Sequence, residues 1–273
     1  MPEMPEVETI RRSLAELVGE SFRAIDILNP RQIHYPTEKE FKKRLLNSPI
    51  TGLNRRGKYL LIELANGYSL VFHLRMTGKI IYLTENVARP THIKAIFELT
   101  NGRELVFSDI RAFGTLDAIS KDETPKIKGL SELAPEPLAA DFTLDYLLQT
   151  LGKSRLKLKA FLLDQRKVAG LGNIYVDEAL FLAKLHPERL AQTVDKKAAK
   201  ALYQAINQVI ADGIRDGGTT FRDYRSGDGS KGSHQDNLFA YGRGGEPCKR
   251  CKTTLAKIKV AGRATVYCPK CQK

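Results

Sequence analysis

Residues 59–74, with the sequence YLLIELANGYSLVFHL, contain two apolar runs separated by Asn66-Gly67. An Asn-Gly pair between two β-prone runs is a strong hairpin signal, since both residues tolerate the positive φ angles of a tight turn. We therefore expect antiparallel strands over residues 59–64 and 69–74.

A second hairpin signal lies further along the chain. Asn101-Gly102 separates predicted strands over residues 92–99 and 104–107, and one more strand is predicted over residues 79–83. Together these strands predict an antiparallel meander, a sandwich or a barrel in the first part of the chain.

Helices are predicted on the N-terminal side of these strands. Apolar residues repeat with a helical period from Pro5 to just before Gly19, which predicts a helix packed beside the strands. A strand is expected over residues 22–28. A second helix is expected over residues 38–46, because Thr37-x-x-Glu40 forms a capping box.

The second half of the chain has a different pattern. Prolines 125, 135 and 137 fall in a stretch with few large apolar residues, which predicts an interdomain hinge. The apolar period that follows predicts helices over residues 142–151, 156–163, 174–182 and 196–214. Five glycines within residues 217–232 predict a mobile loop.

All four cysteines lie near the C-terminus, in two Cys-x2-Cys pairs that are sixteen residues apart: Cys248, Cys251, Cys268 and Cys271. Two such pairs can hold one tetrahedral zinc ion through four thiolates. The alternative, two disulfides or free buried thiols, is weaker in a chain without an export signal. Because four thiolates fill the coordination sphere, we expect one structural zinc ion that takes no part in a reaction.

The net charge points to an anionic partner. The chain has 44 Lys and Arg residues against 31 Asp and Glu residues, a formal net charge of +13, and nine of the basic residues fall in residues 239–273 with one acid. Nucleic acid is the simplest partner, with an anionic membrane surface as the competitor. No apolar run reaches the ~18 residues of a membrane helix, and glutamates occupy the place of the basic start of a signal peptide.

Three clusters suggest chemistry, although each also has an ordinary explanation. The N-terminal MPEMPEVE sequence either exposes the secondary amine of Pro2 after removal of Met1, which is common before a small residue, or simply starts a helix. Residues 54–59 (NRRGKY) form a basic turn or a solvated face. Residues 170–175 (GLGNIY) form a phosphate-binding helix start that Asn173 could cap, or an ordinary turn.

The order of these motifs resembles one known family. The terminal Pro-Glu pairs, the Arg-Arg-Gly-Lys58 turn, His73-Leu-Arg-Met76, Asp109-x-Arg111-x-Phe113-Gly114, Pro135-Glu-Pro137, Asp164-Gln165, Gly-x-Gly-Asn173 and the four-cysteine hairpin follow one another as in bacterial formamidopyrimidine-DNA glycosylases. The resemblance covers the whole chain. It implies an α+β fold: an N-terminal antiparallel β-sandwich with flanking helices, then a helix-two-turn-helix domain and a C-terminal zinc finger.

The resemblance also implies domain boundaries. We expect a catalytic β-sandwich over residues 1–125, a hinge over 126–140, a helical domain with a lesion-capping loop over 141–237, and the zinc finger over 238–273.

The resemblance implies that the chain excises oxidised purines from duplex DNA and then cleaves the abasic site by β,δ-elimination. Pro2 would be the nucleophile that forms an iminium with the sugar, and Glu3 the acid/base. Glu6 would orient or ionise the site. Lys58 would donate a proton in β-elimination and Arg263 in δ-elimination.

The resemblance further implies DNA contacts, which we expect at His73, Met76, His92, Arg111, Phe113, Arg155, Lys159, Asn173 and Tyr241. Among these, Met76, Arg111 and Phe113 would enter the duplex and fill the space of a flipped nucleotide. Two departures from the family pattern bear on the site: Ala112 replaces a common Lys, and Ala264 replaces a Gly and could shift the hairpin that carries Arg263.

Two other functions fit the sequence. One is an endonuclease VIII-like glycosylase for oxidised pyrimidines, and the other is a catalytically silent zinc protein that binds damaged DNA. In all three cases we expect damaged double-stranded DNA as the partner, a zinc ion as the only cofactor, no membrane, no obligate protein partner, a monomer, and a place in the bacterial cytoplasm, associated with the nucleoid through DNA.

Overall fold

The computed structural model describes residues 1–85, 87–219 and 232–273. The chain divides into two compact units: residues 1–131 with 216–235, and residues 132–215 with 236–273. The division falls inside the predicted hinge. Residues 216–235, which we had expected in the helical domain, group with the first unit, while most of the predicted mobile loop lies outside the described residues. None of the described helices is long and apolar enough to cross a membrane.

The first unit consists mainly of strands. Its helices are α1 (Met4–Ser13), α2 (Glu38–Leu45) and the short α3 (Lys128–Ser131). Its strands are β1 (Phe22–Ile27), β2 (Ile33–Tyr35), β3 (Ile50–Arg56), β4 (Tyr59–Leu64), β5 (Tyr68–His73), β6 (Gly78–Leu83), β7 (Ile93–Leu99), β8 (Glu104–Asp109) and β9 (Thr115–Ser120).

These strands form a sandwich. One sheet has the order β1-β7-β8-β6, and the other has the order β2-β9-β5-β4-β3 with a single parallel pair, β2 and β9. Phe72 of the second sheet packs against Phe97 and Phe107 of the first, with ring centroids 5.9 and 5.7 Å apart. Apolar residues of α1 complete this core. The predicted sandwich is therefore confirmed, with β3, β4 and β5 as an antiparallel meander inside the second sheet, and the two separate sheets exclude a closed barrel.

The hairpin signals predicted the strands well, but three strands had weaker signals. The Asn-Gly turns lie between β4 and β5 and between β7 and β8, as expected. The strands β2, β3 and β9 were not predicted, and residues 54–56 of the predicted basic turn belong to β3. β9 is an interior strand that lies between β2 and β5, so its pairing depends on residues distant in the sequence, which a local pattern does not predict.

The second unit contains four main helices and a two-stranded hairpin. The helices are α4 (Leu144–Gly152), α5 (Leu158–Leu163), α6 (Asn173–Ala183) and α7 (Lys196–Arg215), and the strands are β10 (Ala256–Val260) and β11 (Arg263–Tyr267). Each helix begins within two residues of its predicted start. Residues 174–181 of α6 are buried on all sides, which marks this helix as the centre of the unit.

Two charged residues on α6 hold the chain around this helix. The Glu178 carboxylate accepts hydrogen bonds from three successive backbone N–H groups, those of Phe239, Ala240 and Tyr241, each at 2.8 Å. The neighbouring Asp177 accepts one from the N–H of Val266 in β11 at 3.1 Å. These bonds attach the hairpin and the segment before it to α6.

A glycine in α7 allows close packing against α6 and gives a test of the fold. A Cβ added at Gly213 would lie 2.5 Å from the Tyr175 ring, which is fully buried. Alanine usually stabilises a helix by about 1 kcal/mol relative to glycine. We expect Gly213→Ala to lower the free energy of unfolding instead, by about 1–3 kcal/mol, because of the overpacking.

Gly152 of α4 is the matched control, since a Cβ there would meet no atom within 4 Å. We expect Gly152→Ala to be neutral or stabilising. Urea unfolding of both variants measures the difference, and a Gly213→Ala variant as stable as the control would contradict the packing.

Candidate functional site

The N-terminal residues are buried in the first unit. Met1 is 45% exposed, whereas Pro2 is buried, and Glu3 and Glu6 are only 2% and 1% exposed. One oxygen of the Glu6 carboxylate accepts the backbone N–H of Glu3 at 2.8 Å, and the other accepts that of Thr219 at 2.7 Å. Glu6 therefore joins the start of α1 to a segment more than two hundred residues away. Three sequence-predicted site residues, Pro2, Glu3 and Glu6, thus lie together.

The basic turn that carries Lys58 is attached to the same helix. Glu8 in α1 accepts hydrogen bonds from Arg11, Arg12 and Arg55. Burial alone would raise the pKa of Glu8, but the hydrogen bonds from Arg11 and Arg12 and the charges of Arg11 and Arg55 outweigh it and lower the pKa to about 2.

Arg55 also donates to the Gly57 carbonyl at 3.1 Å, and Gly57 has a left-handed φ of 56°. This bond fixes the tight turn immediately before Lys58, which is itself 7% exposed. The hydrogen bond between Arg55 and Glu8 joins residues that are far apart in the sequence, and no local pattern predicts it.

His73 lies at the end of β5, opposite Tyr59, and its ring is neutral. The backbone N–H of Arg75 donates to Nδ1 of His73 at 3.1 Å, so that the proton of the neutral ring is on Nε2. Burial, followed by the charges of Arg75 and Lys58, lowers the pKa of His73 to about 3. The Tyr59 ring packs edge-on against the His73 ring, and the two ring centroids are 4.4 Å apart. The predicted DNA contact of His73 remains a prediction.

Met76, Arg111 and Phe113 lie together on the surface of the first unit. The Arg111 guanidinium lies 4.8 Å from the centre of the Phe113 ring, and its Nη1 is 3.1 Å from the Met76 sulfur. Met76 is 40% exposed and Phe113 is 53% exposed, an unusual arrangement for large apolar side chains. These two side chains therefore do not pack in the core of the unit.

A buried carboxylate holds this exposed group. Asp109 has no exposed surface, and it accepts hydrogen bonds from Thr77, Gln32 and the backbone of Arg111 and Gly114. The Ala112 backbone between Arg111 and Phe113 has a φ of 54°, in the left-handed region. Asp109 was quoted in the sequence motif, but its role as the anchor of this loop could not be deduced there.

Other predicted DNA contacts are accessible in their units. His92 of the first unit is exposed, as are Arg155 and Arg263 of the second, and Tyr241 is half-buried. Arg263 opens β11 directly after a turn in which Ala261 and Gly262 have φ angles of 49° and 73°. Ala264 lies in β11, opposite Lys259, so the left-handed residues of the hairpin precede Arg263 and the replacement of glycine at 264 does not strain it.

Lys159 and Asn173 differ from the predictions. Lys159 has no exposed surface; its ammonium group bonds Asp177 at 2.6 Å and the Ala264 carbonyl at 3.0 Å, so it is not presented to a phosphate. Asn173 does not cap α6, because Gly172 is the N-cap, and its side-chain amide donates to the same carbonyl at 3.1 Å. Both residues attach the finger hairpin to α5 and α6.

The four cysteines form one metal site, since their sulfur atoms all lie within 4.8 Å of one another and are free of disulfides. A tetrahedral zinc ion with bonds of about 2.3 Å needs sulfurs about 3.8 Å apart. The N–H of Arg250 points at the Cys248 sulfur, and the N–H of Cys271 at the Cys268 sulfur, each at 3.4 Å. The residues therefore fit one structural zinc ion.

The structure combines four features that the resemblance to zinc-containing DNA glycosylases implies: the sandwich, the N-terminal proline and glutamates, the exposed apolar group and the four-cysteine finger. Family models agree: the formamidopyrimidine-DNA glycosylase N-terminal domain matches residues 1–116, its H2TH domain matches 133–225, and the zinc finger found in FPG and IleRS matches 245–273.

Individual relatives and structures are similar over the whole chain. The chain is 46% identical to a formamidopyrimidine-DNA glycosylase from Desulforamulus reducens, over 100% of this chain and 99% of the relative, and 44% identical to one from Bacillus licheniformis, over 100% of both. Among solved structures, a Lactococcus lactis FPG mutant bound to Fapy-dG-containing DNA matches with a TM-score of 0.92 and 39% identity, over 100% of both chains. The chain belongs to the formamidopyrimidine-DNA glycosylase family.

The neutral state of His73 can be tested directly. Because its pKa is lowered from 6.5 to about 3, the ring should stay uncharged from pH 8 down to about pH 4. Nitrogen chemical shifts of the imidazole should show a neutral ring with the proton on Nε2 throughout this range. Protonation of the His73 ring near pH 6.5 would contradict this environment.

The zinc site gives a second test. We expect metal analysis to return one zinc ion per chain, and Cys268→Ser to lose the ion together with the DNA affinity of the finger, because metal binding stabilises the fold of such small domains. A chain without metal whose cysteines form two disulfides would overturn the assignment.

Proposed function

We propose that this chain removes oxidised purines, such as 8-oxoguanine and formamidopyrimidines, from duplex DNA, and then cleaves the abasic site. The observation that carries the proposal is the N-terminus: a buried Pro2–Glu3 peptide with its N–H bonded to Glu6. The related Lactococcus lactis proteins are seen with Fapy-dG and with abasic-site DNA, which supports the same substrates here.

The reaction begins at the nitrogen of Pro2, which is an amide until Met1 is removed. The free secondary amine attacks the anomeric carbon of the damaged nucleotide, and the bond from sugar to base breaks. The base leaves with a proton and the amine loses its own proton. The bond between the anomeric carbon and the ring oxygen then breaks as that oxygen takes up a proton, which opens the sugar ring and gives the iminium. Glu3 supplies and accepts protons at this sugar.

The iminium then acts as an electron sink. Removal of the adjacent sugar proton expels the 3′ phosphate, and a second elimination expels the 5′ phosphate. Lys58 is the proton donor associated with the first elimination, and Arg263 with the second. The low exposure of Lys58 favours proton transfer over a loose phosphate contact.

The DNA contacts follow from exposure and charge. Flipping a nucleotide costs a few kcal/mol, which Met76, Arg111 and Phe113 offset by filling the vacated space. The exposed Lys257 and Lys259 lie on one face of β10, with Arg263 beside the turn, and provide phosphate contacts in the finger. Arg155 adds a contact in the helical part. We further propose that the chain acts as a monomer in the bacterial cytoplasm, without an obligate protein partner.

Borohydride trapping on a duplex with 8-oxoguanine opposite cytosine tests this function. We expect the wild-type chain to form a covalent adduct that maps to Pro2. Pro2→Gly and Glu3→Gln should reduce base excision at least a hundredfold and keep DNA affinity within about threefold, since acid/base groups contribute roughly that factor or more. Glu16→Gln, a change of an exposed glutamate, is the control and should behave like wild type.

Tight binding without an adduct would support a silent binding protein instead. A duplex with thymine glycol separates the remaining alternative: faster excision of this pyrimidine than of 8-oxoguanine would contradict the purine assignment.

A further inference from the structure

Asp216 and His234 form a buried pair that the mechanism above does not use. Nδ1 of His234 lies 2.9 Å from Oδ2 of Asp216, and the two side chains are only 7% and 12% exposed. Since a carboxylate only accepts hydrogen bonds, the Nδ1 of His234 donates. The two residues stand on either side of the glycine-rich segment, and neither was predicted from the sequence to have a role.

The described residues that follow Asp216 pair with those that precede and include His234. The Ser233 N–H donates to the Asp216 carbonyl at 3.0 Å, and the His234 N–H donates to the Gly218 carbonyl at 3.2 Å. A Cβ at Gly232 would lie 2.1 Å from the Gly218 oxygen, so only glycine fits there. We call these described residues, 216–219 and 232–234, the neck.

The neck contacts the N-terminal helix through Glu6. The Thr219 N–H donates to Oε1 of Glu6 at 2.7 Å, and the other oxygen of the same carboxylate accepts the Glu3 N–H. Gly218 lies against Glu6 as well, since a Cβ there would be 2.9 Å from Oε1. The position of the Thr219 N–H therefore depends on how the neck is held.

We propose that Asp216 and His234 are positioning residues: their hydrogen bond holds the neck so that the Thr219 N–H fixes the Glu6 carboxylate, and through it the Glu3 end of α1. The pair does not touch the substrate. The inference rests on the proposed function, because its effect on rate requires that the Pro2–Glu3 end carries out the reaction.

The main competing explanation is that the pair only stabilises the fold. The two explanations predict different effects of losing His234 in a chain whose Glu6 carboxylate has been altered. If His234 acts through Glu6, its loss has little further effect once the Glu6 carboxylate is altered, whereas a purely stabilising contact acts independently of it.

The experiment compares His234→Ala with His34→Ala in single-turnover base excision at saturating DNA. His34 is a control for the loss of a histidine–aspartate bond, since its Nδ1 also lies 2.9 Å from a buried aspartate, Asp117, on β9, while the His34 side chain is 54% exposed. We expect His234→Ala to lower the excision rate about tenfold with an unchanged Kd, and His34→Ala to stay within twofold. His234→Asn, whose amide can donate from a similar place, should recover most of the rate.

The same variants are then made in a Glu6→Gln background, where His234→Ala should reduce the rate by less than twofold. Equal rates for His234→Ala and His34→Ala, or a full tenfold loss in the Glu6→Gln background, would overturn the proposal.

Hydrogen exchange of the Thr219 amide gives a readout that does not depend on activity. Its protection should fall in His234→Ala and return in His234→Asn. Unchanged protection in His234→Ala would refute the positioning role. If the wild-type chain forms no adduct but the Thr219 amide responds as expected, the proposed function fails while the coupling of the neck to Glu6 stands.

Discussion

The Glu6 carboxylate is the constraint on which the first unit depends. It is 1% exposed and binds the N–H of Glu3 and the N–H of Thr219, two donors that only the folded chain brings together. A buried carboxylate without such donors would be costly, so the N-terminal residues and the neck must both be in place. The same bonds leave Pro2 buried at the start of α1, next to Glu3. The two hydrogen bonds that satisfy the buried Glu6 carboxylate therefore also hold the N-terminal residues in position.

The second unit uses buried charge in a similar way. Asp177 and Glu178 are successive residues of α6; the first bonds Lys159 and β11, and the second bonds the backbone before the finger. The finger hairpin is thus held at its Ala264 carbonyl by Lys159 and Asn173, while Arg263 next to it stays exposed. The positive charge of the C-terminal residues is also divided. Arg250 binds the carbonyls at the end of α6, whereas Lys257 and Lys259 remain exposed to an anionic partner.

The sequence predicted those features that have a local cause. The two Asn-Gly turns and the two Cys-x2-Cys pairs depend on short stretches of sequence, and each was confirmed. Of the capping box predicted at Thr37, the structure shows the half in which the Thr37 side chain accepts the Glu40 N–H. The parts that depend on distant residues could not be predicted: β9 between β2 and β5, the Arg55 contact with Glu8, and the Asp216–His234 pair. Lys159 shows the limit most clearly. The resemblance implied a DNA contact for Lys159, but its ammonium group binds Asp177, eighteen residues away, in the interior of the second unit.

The central claim is that the amine of Pro2 is the nucleophile, which requires that Met1 is absent from the active chain. Met1 is exposed at the surface, where it is accessible for removal, while Pro2 is buried. The mass of the intact purified chain, measured on the preparation that is assayed for excision, tests the claim most directly. We expect a mass lower than that of the full sequence by one methionine residue. A fully active preparation in which every chain keeps Met1 would contradict the account.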